Sequence, residues 1–430
     1  MTDNQPAATP TPAPEAAALL GGGIPEAAAI TSSSTLTEYF RNWLVRVRAG
    51  DTGALPVIAG LILLAVIFQS LNGNFLTAGN LVNLMVQGSV YMLFALGMIF
   101  ILLLGEIDLS IGFIGGVAGV VMALLTFGNS GLPWYVGVAA GLLCSIGIGL
   151  LNGVIITAIG LPSFIVTLAG LLAWNGVMLI ILGNGGTIPI NDETINNLAN
   201  GLLDPIVSWI VLAVMLALYI ADQVLSARAR KHSGVPRSVT ILKIAGVIVA
   251  GLIVVAICNT NRGRVSPIEG VPWVLLIVFF FATLWTVVQQ RTRFGTYIYA
   301  IGGNAEAARR AGIAVNRIRI AGFTIAGFMG GVAGIIYASR LRSVSTNLDG
   351  GQLVLYCIAA AVIGGTSLFG GRGKAISAIL GGLVIASIDN GMGLLGLAAA
   401  TRYVVTGIVL VVAVTIDALA SRGRASSGLS

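Results

Sequence analysis

The sequence predicts an all-α, polytopic transmembrane helical bundle of about 10–12 spans, and three observations carry that reading. Charged residues make up 9% of the 430 and hydrophobic ones 57%, whereas a soluble chain carries about 25% charge to keep its surface wet. Mean hydropathy is +0.97. The apolar residues also gather into runs long enough to cross a bilayer. Together these exclude a secreted disulfide scaffold, a disordered chain, a nucleic-acid binder and an ordinary cytosolic enzyme. Cys144, Cys258 and Cys357 lie in or at the end of apolar runs without a CxxC pair, so no disulfide or metal chemistry is indicated. The single histidine, His232, stands in a basic loop beside Lys231, as a solvated side chain would.

Residues 1–35 are rich in Ala, Pro, Thr and Ser and contain no Lys or Arg. They are predicted to form a disordered cytoplasmic tail, because they cannot bury enough apolar surface to offset chain entropy. No positive segment precedes an apolar core, so they do not read as a signal peptide. Thr35 and Glu38 then form a capping-box pattern. Tyr39, Phe40, Trp43, Leu44 and Val47 recur at helical spacing among Arg41, Arg46 and Arg48, which predicts an amphipathic juxtamembrane helix over 36–50.

The transmembrane domain is expected over 51–420, with a cytoplasmic tail over 421–430. Its runs lie near 55–71, 81–104, 111–127, 134–159, 162–182 and 205–224, then 241–258, 271–288, 318–338, 352–369, 375–393 and 402–418. Glycine and polar residues interrupt 81–127, so a broken or re-entrant pair fits there as well as two full crossings. The bases test this order. With the N-terminus inside, most of them fall on inner segments: Arg228 to Lys243, Arg291 to Arg319, Arg372, Lys374, Arg422 and Arg424. Only Arg262, Arg264, Arg340, Arg342 and Arg402 fall elsewhere. The loop from Gly183 to Asp204 has three acids and no base, as an outer loop should. Both termini are therefore expected to be cytoplasmic. Several GxxxG pairs, among them Gly115 and Gly119, Gly149 and Gly153, and Gly327 and Gly331, suit tight helix packing within one bundle, or a dimerising face.

The chain offers no nucleotide site. Its nearest approach to a phosphate loop, Gly365 to Ala375, has Leu368 where the motif needs glycine and Ala375 where it needs Ser or Thr. That stretch reads as a tight inner turn. In the inner loop Arg291–Arg319, Asn304 can cap a short helix and Gly312 can end it in a left-handed turn. The intervening Ala305-Glu306-Ala307-Ala308-Arg309-Arg310-Ala311 is too short to persist alone in water. It is either a solvated loop helix or one that docks into a groove on a partner.

The spelling of that segment, Glu306-Ala307-Ala308 followed after three residues by Gly312, resembles the EAA loop through which ABC importer permeases couple to their ATPase. Gly105-Glu106-Ile107-Asp108-Leu109-Ser110-Ile111-Gly112 resembles the GGIDLSVG signature of the branched-chain amino acid and monosaccharide permease family. Ala300 to Asn304 and Val362 to Gly373 fit its sugar branch, and the extra spans around 205–258 are similar to the D-xylose type. Glu106 departs from the glycine the family more often has, and the I-x-LP tail of the wider EAA motif is missing. The resemblance implies a permease subunit of an importer of xylose or a related monosaccharide in the bacterial cytoplasmic (inner) membrane. It implies no catalytic residue, metal or cofactor on this chain, with ATP held by a partner. The implied partners are a second permease with the pathway between protomers, two ATPase subunits and an extracytoplasmic sugar-binding protein. The implied coupling residues are Asn304, Glu306, Ala307, Ala308, Arg309, Arg310 and Gly312, and the signature turn holds Gly105, Glu106, Asp108, Ser110 and Gly112.

Glu106 and Asp108 are the only acids between Asp51 and Asp192, and an intramembrane acid marks a functional site by default. Asp108 either caps the helix entering at Ser110 or takes part in transport. A secondary transporter driven by an ion gradient is the alternative class, yet it needs a charge relay and no Lys, Arg or His lies nearby in sequence. A channel is a third. A path for a neutral polyol needs hydrogen-bonding and aromatic groups inside spans, and Asn83, Gln87, Tyr91, Asn152, Ser163, Thr167, Trp174, Asn175 and Asp389 supply them, although the same groups also serve to pair helices.

Overall fold

The computed structural model describes Arg41 and residues 54–128, 131–229, 237–263, 265–346 and 350–426. The tail expected over 1–35 lies outside these residues, as does the helix expected over 36–50 apart from Arg41. Helices dominate: α1 Leu55–Leu71, α2 Ala78–Leu103, α3 Ile111–Thr126, α4 Trp134–Ile159 and α5 Ser163–Leu182 come first. After β1 Thr187–Pro189 follow α6 Glu193–Asn200, α7 Pro205–Ala229, α8 Arg237–Cys258, α9 Trp273–Arg291, α10 Arg293–Gly303, α11 Ala305–Arg310 and α12 Val315–Leu341. After β2 Ser343–Ser345 come α13 Gly350–Ile363, α14 Ala375–Leu394 and α15 Ala399–Ser426. Among the described residues eight helices are long and apolar enough to cross a membrane, and α1, α3 and α13 are shorter apolar helices. With α15 they coincide with the twelve runs, and α15 continues helical to Ser426, into the segment expected as a tail.

The described residues divide into two compact units, 213–250 belonging to one and 54–212 with 251–426 to the other. The described core of the smaller is helical, the inner stretches of α7 and α8. In the larger, α2 is the central helix. Its second half, from Met92 on, is apolar all round, and Gly88 to Leu103 is buried without interruption, as such a stretch must be. It packs against α12, α13 and α14. Outward-facing Leu143 on α4 and Ile180 on α5 are 68% and 80% exposed, an apolar rim that suits lipid.

The region 81–127 resolves into one full crossing, α2, and one short helix, α3, of 16 residues. The second short helix is α13, some 240 residues later, rather than a neighbour of α3. The two meet where the Gly350 carbonyl lies so close to Gly112 that a side chain there has no room. A helix that stops inside a bilayer leaves unpaired backbone groups, tolerable only where protein buries and satisfies them. Here α5 does so, since Ser163 Oγ accepts from Ile107 N (3.3 Å) and Thr167 Oγ1 donates to Ile107 O (3.2 Å).

The GxxxG glycines knit α3, α4 and α12 together. A methyl on Gly115 would lie 2.7 Å from the Gly330 carbonyl oxygen, and one on Gly149 would lie 3.0 Å from the Cα of Gly327. Close approach inside one bundle therefore accounts for them. Two ends are distinguishable within the larger unit. At one, the basic end, the C-terminus of α2, the α10–α11 segment and the N-termini of α12 and α14 converge, with Gly371 N donating to Leu103 O at 2.9 Å. At the opposite end β1 pairs antiparallel with β2, Thr187 opposite Ser345, and Asn72 Nδ2 donates to Leu394 O.

Candidate functional sites: a coupling segment and a polar cluster

At the basic end, Thr292 Oγ1 accepts from Gly295 N (3.2 Å) and starts α10. Its Tyr299 hydroxyl donates to Gly373 O at 2.6 Å, and burial raises the Tyr299 pKa, keeping the phenol a neutral donor. Asn304 caps α11 as expected, its Oδ1 accepting from Ala307 N at 2.9 Å, and Gly312 ends the segment at φ +84°. Glu306 pairs with Arg309 (3.0 Å) and Arg310 (3.2 Å), all three well exposed. Only Ala308 of α11 is buried. A six-residue helix that presents nearly every side chain outward has little to hold it except its cap and that one alanine.

The signature turn lies beneath the same end. Gly105 adopts φ +74°. Asp108 is fully buried, and its Oδ1 accepts from Ser110 N (2.8 Å) and Ser110 Oγ (2.6 Å), while Asn152 Nδ2 donates to Ser110 Oγ (3.0 Å). Asp108 thus secures the start of α3, and Oδ2 has no partner among the described residues. Glu106 is not isolated. Folding brings Arg319 of α12 to 3.0 Å from it, a cation that the sequence placed 213 positions away.

The path residues expected from sequence fall into separate places. Gln87, Tyr91 and Asp389 come together: Gln87 Nε2 and the Tyr91 hydroxyl (2.8 Å) both donate to Asp389 Oδ2. Arg402 of α15 lies 4.0 Å from Oδ1 and donates through Nε to Leu397 O (3.0 Å). Tyr356 of α13 meets Tyr91 edge-on at 5.1 Å between ring centres and accepts from Gln352 (2.7 Å). Four helices, α2, α13, α14 and α15, thereby enclose a carboxylate, a guanidinium, two carboxamides and two phenols. Asn83, one turn from Gln87 on α2, instead lines a cavity of about 250 Å³ at the opposite end with Asn200 and Arg262. Burial lowers the Arg262 pKa, and its guanidinium donates to the Cys258 carbonyl. Asn152, Ser163 and Thr167 serve the signature turn. Trp174 and Asn175 are half-buried on α5, and Trp174 Nε1 has no partner among the described residues.

Sequence reasoning missed Gln352, Tyr356 and Arg402. The first two stand at i and i+4 in an apolar run, a signal available from spacing. Arg402 was visible only as a base away from the basic end.

These features define a multi-pass helical membrane protein with an exposed capped helix at one end and a polar cluster between its helices. The chain belongs to the family described as branched-chain amino acid transport system / permease component, whose model matches residues 80–414. It is 36% identical over 372 residues to the xylose transport system permease protein XylH of Escherichia coli (strain K12), covering 85% of this chain and 92% of that protein. It is 34% identical to XylH of Haemophilus influenzae over 84% of this chain and 95% of that one. It is also 31% identical to the ribose import permease protein RbsC of E. coli over 84% and 92%. No solved structure matches the chain significantly.

Proposed function

We propose that this chain is the transmembrane permease subunit of an ABC importer that carries xylose or a related monosaccharide across the bacterial cytoplasmic membrane, both termini facing the cytoplasm. The observation that carries the reading is the cluster around Asp389. A neutral polyol is recognised by acceptors, donors and aromatic faces, and Asp389, Gln87, Gln352, Tyr91 and Tyr356 are that set of groups. The likeness to xylose and ribose permeases points to the same cargo. Two such subunits would form the pathway between them, with two ATPase subunits docked on α11 and a sugar-binding protein on the opposite end. ATP binds the partner, and this chain itself holds no cofactor or metal and catalyses no reaction. Closure of the ATPases shifts α11 and biases the permease between outward and inward access, and sugar affinity need only differ between those states.

Reconstitution in proteoliposomes tests this. The chain alone gives no D-xylose uptake, and ATP-driven uptake appears once an ATPase and a binding protein are added. Uptake by the chain alone under a proton gradient would overturn it in favour of a secondary transporter. Glu306→Lys turns the exposed Glu306–Arg309–Arg310 triad wholly cationic and should abolish ATPase docking; unchanged assembly and transport would sink the coupling assignment.

A further inference from the structure

We propose that Glu106 and Arg319 are positioning residues that pass displacement of α11 to the short helix α3. The inference deepens the importer reading and rests on it. Arg319 stands in the second turn of α12, and only residues 311–314 separate α12 from α11. That connection is stiff, because Ile313 N donates to Ala308 O (3.1 Å) and Val315 N to Ile313 O (2.9 Å). A shift of α11 is therefore a shift of the start of α12. Glu106 lies in the link of residues 104–110 that joins α2 to α3. The far half of that link is braced internally, Asp108 accepting from Ser110 N and Oγ, and it is tied to α3 where Ile114 N donates to Ser110 O at 2.9 Å.

The pair is 3.0 Å long with side-chain exposures of 28% for Arg319 and 13% for Glu106, so solvent and salt screen it little. Arg319 Nε finds no partner among the described residues, which leaves Glu106 as its anchor. Backbone contacts at this end include Gly371 N donating to Leu103 O and Gly302 abutting Leu103 and Gly371 without room for a side chain. These fix the end of α2 to α10 and to the 364–373 turn. Leu104 of the link leading into α3 lies against Gly322 of α12, and the ion pair adds the polar tie between α12 and that link. Beyond it, Gly112 of α3 touches Gly350 of α13, and α13 carries Gln352 and Tyr356 to the Asp389 cluster. Coupling between distant sites is carried by contiguous contacts of this kind, and an exchange of both partners is the evidence such a route requires.

The complex of permease, ATPase and binding protein is compared in proteoliposomes as wild type, Glu106→Gln, Arg319→Gln and the exchange Glu106→Arg with Arg319→Glu. D-xylose moved per ATP hydrolysed is the quantity read. Absence of ATP-driven uptake in wild type would refute the importer reading itself, independently of the pair. Given that uptake, each single variant should assemble and hydrolyse ATP yet move about five-fold less sugar per ATP, and the exchange should recover at least half of the loss. A ratio within two-fold of wild type in the single variants overturns the proposal, as does an exchange no better than either single change. Should Glu106→Gln fail to assemble, Glu106→Asp keeps the charge one methylene short: a ratio at least two-fold lower supports the linkage, and an unchanged ratio overturns it.

Discussion

Asp389 is held by two donors on one oxygen and faces Arg402 with the other. In an apolar span a carboxylate is costly unless paired, and this pairing keeps it available as an acceptor. Asp389→Asn preserves shape while removing the charge. Because hydrogen bonds to a charged group contribute about 1.5–3 kcal/mol, uptake in the reconstituted importer should fall about ten-fold or more, while assembly with the ATPase stays intact. Equal uptake by Asp389→Asn would remove the cluster from the pathway. Gln87 and Tyr91 were legible in the sequence because each interrupts an apolar run, as Asp389 does. Their convergence was not, since it depends on α2 and α14 lying side by side 300 residues apart. Arg319 was hidden for the same reason: sequence proximity gave Glu106 no cation, and only the packing of α12 beside the signature turn supplies one.

At the scale of elements, hydropathy located the twelve apolar helices well because lipid demands a long, uncharged run for each. It did not say which were short and internal. α3 and α13 have no distinctive composition; they are short because their ends are satisfied by Ser163, Thr167 and Asp108 and by close contact at Gly112. Small residues on α4 allow a matched comparison. A methyl at Gly149 meets the backbone of α12, whereas one at Gly147 meets nothing within 4 Å. Gly149→Ala should therefore cost about 1–3 kcal/mol through overpacking, read as a lower unfolding temperature of the purified protein in detergent. Gly147→Ala should be neutral or stabilise by about 0.4–1 kcal/mol through loss of unfolded-state freedom. The same loss at both positions would show that helix α4 does not press on α12 through this face.

For the whole molecule the decisive quantity is where the few charges go. The basic end gathers Arg293, Arg309, Arg310, Arg317, Arg319 and Lys374, and the Gly183–Asp204 segment carries Asp192, Glu193 and Asp204 without a base. Cytoplasmic loops retain Lys and Arg because translocating them is unfavourable, so the basic end should face the cytoplasm and Glu193 the outside. Both sites are accessible to a reagent: Arg310 is 80% exposed, and Glu193 lies at the exposed start of α6. In a background with Cys144→Ala, which removes the exposed native thiol and leaves Cys258 and Cys357 buried, Glu193→Cys should react with a membrane-impermeant maleimide in intact cells. Arg310→Cys should react only after the inner membrane is opened. The reverse pattern would place α11 outside, out of reach of any ATPase, and the importer mechanism would fail with it. Labelling of both sites from one side would instead require an even number of crossings between 193 and 310. Among the described residues three helices long and apolar enough to cross a membrane, α7, α8 and α9, separate the two positions, and three crossings put them on opposite faces, which is the outcome that the charge distribution independently demands.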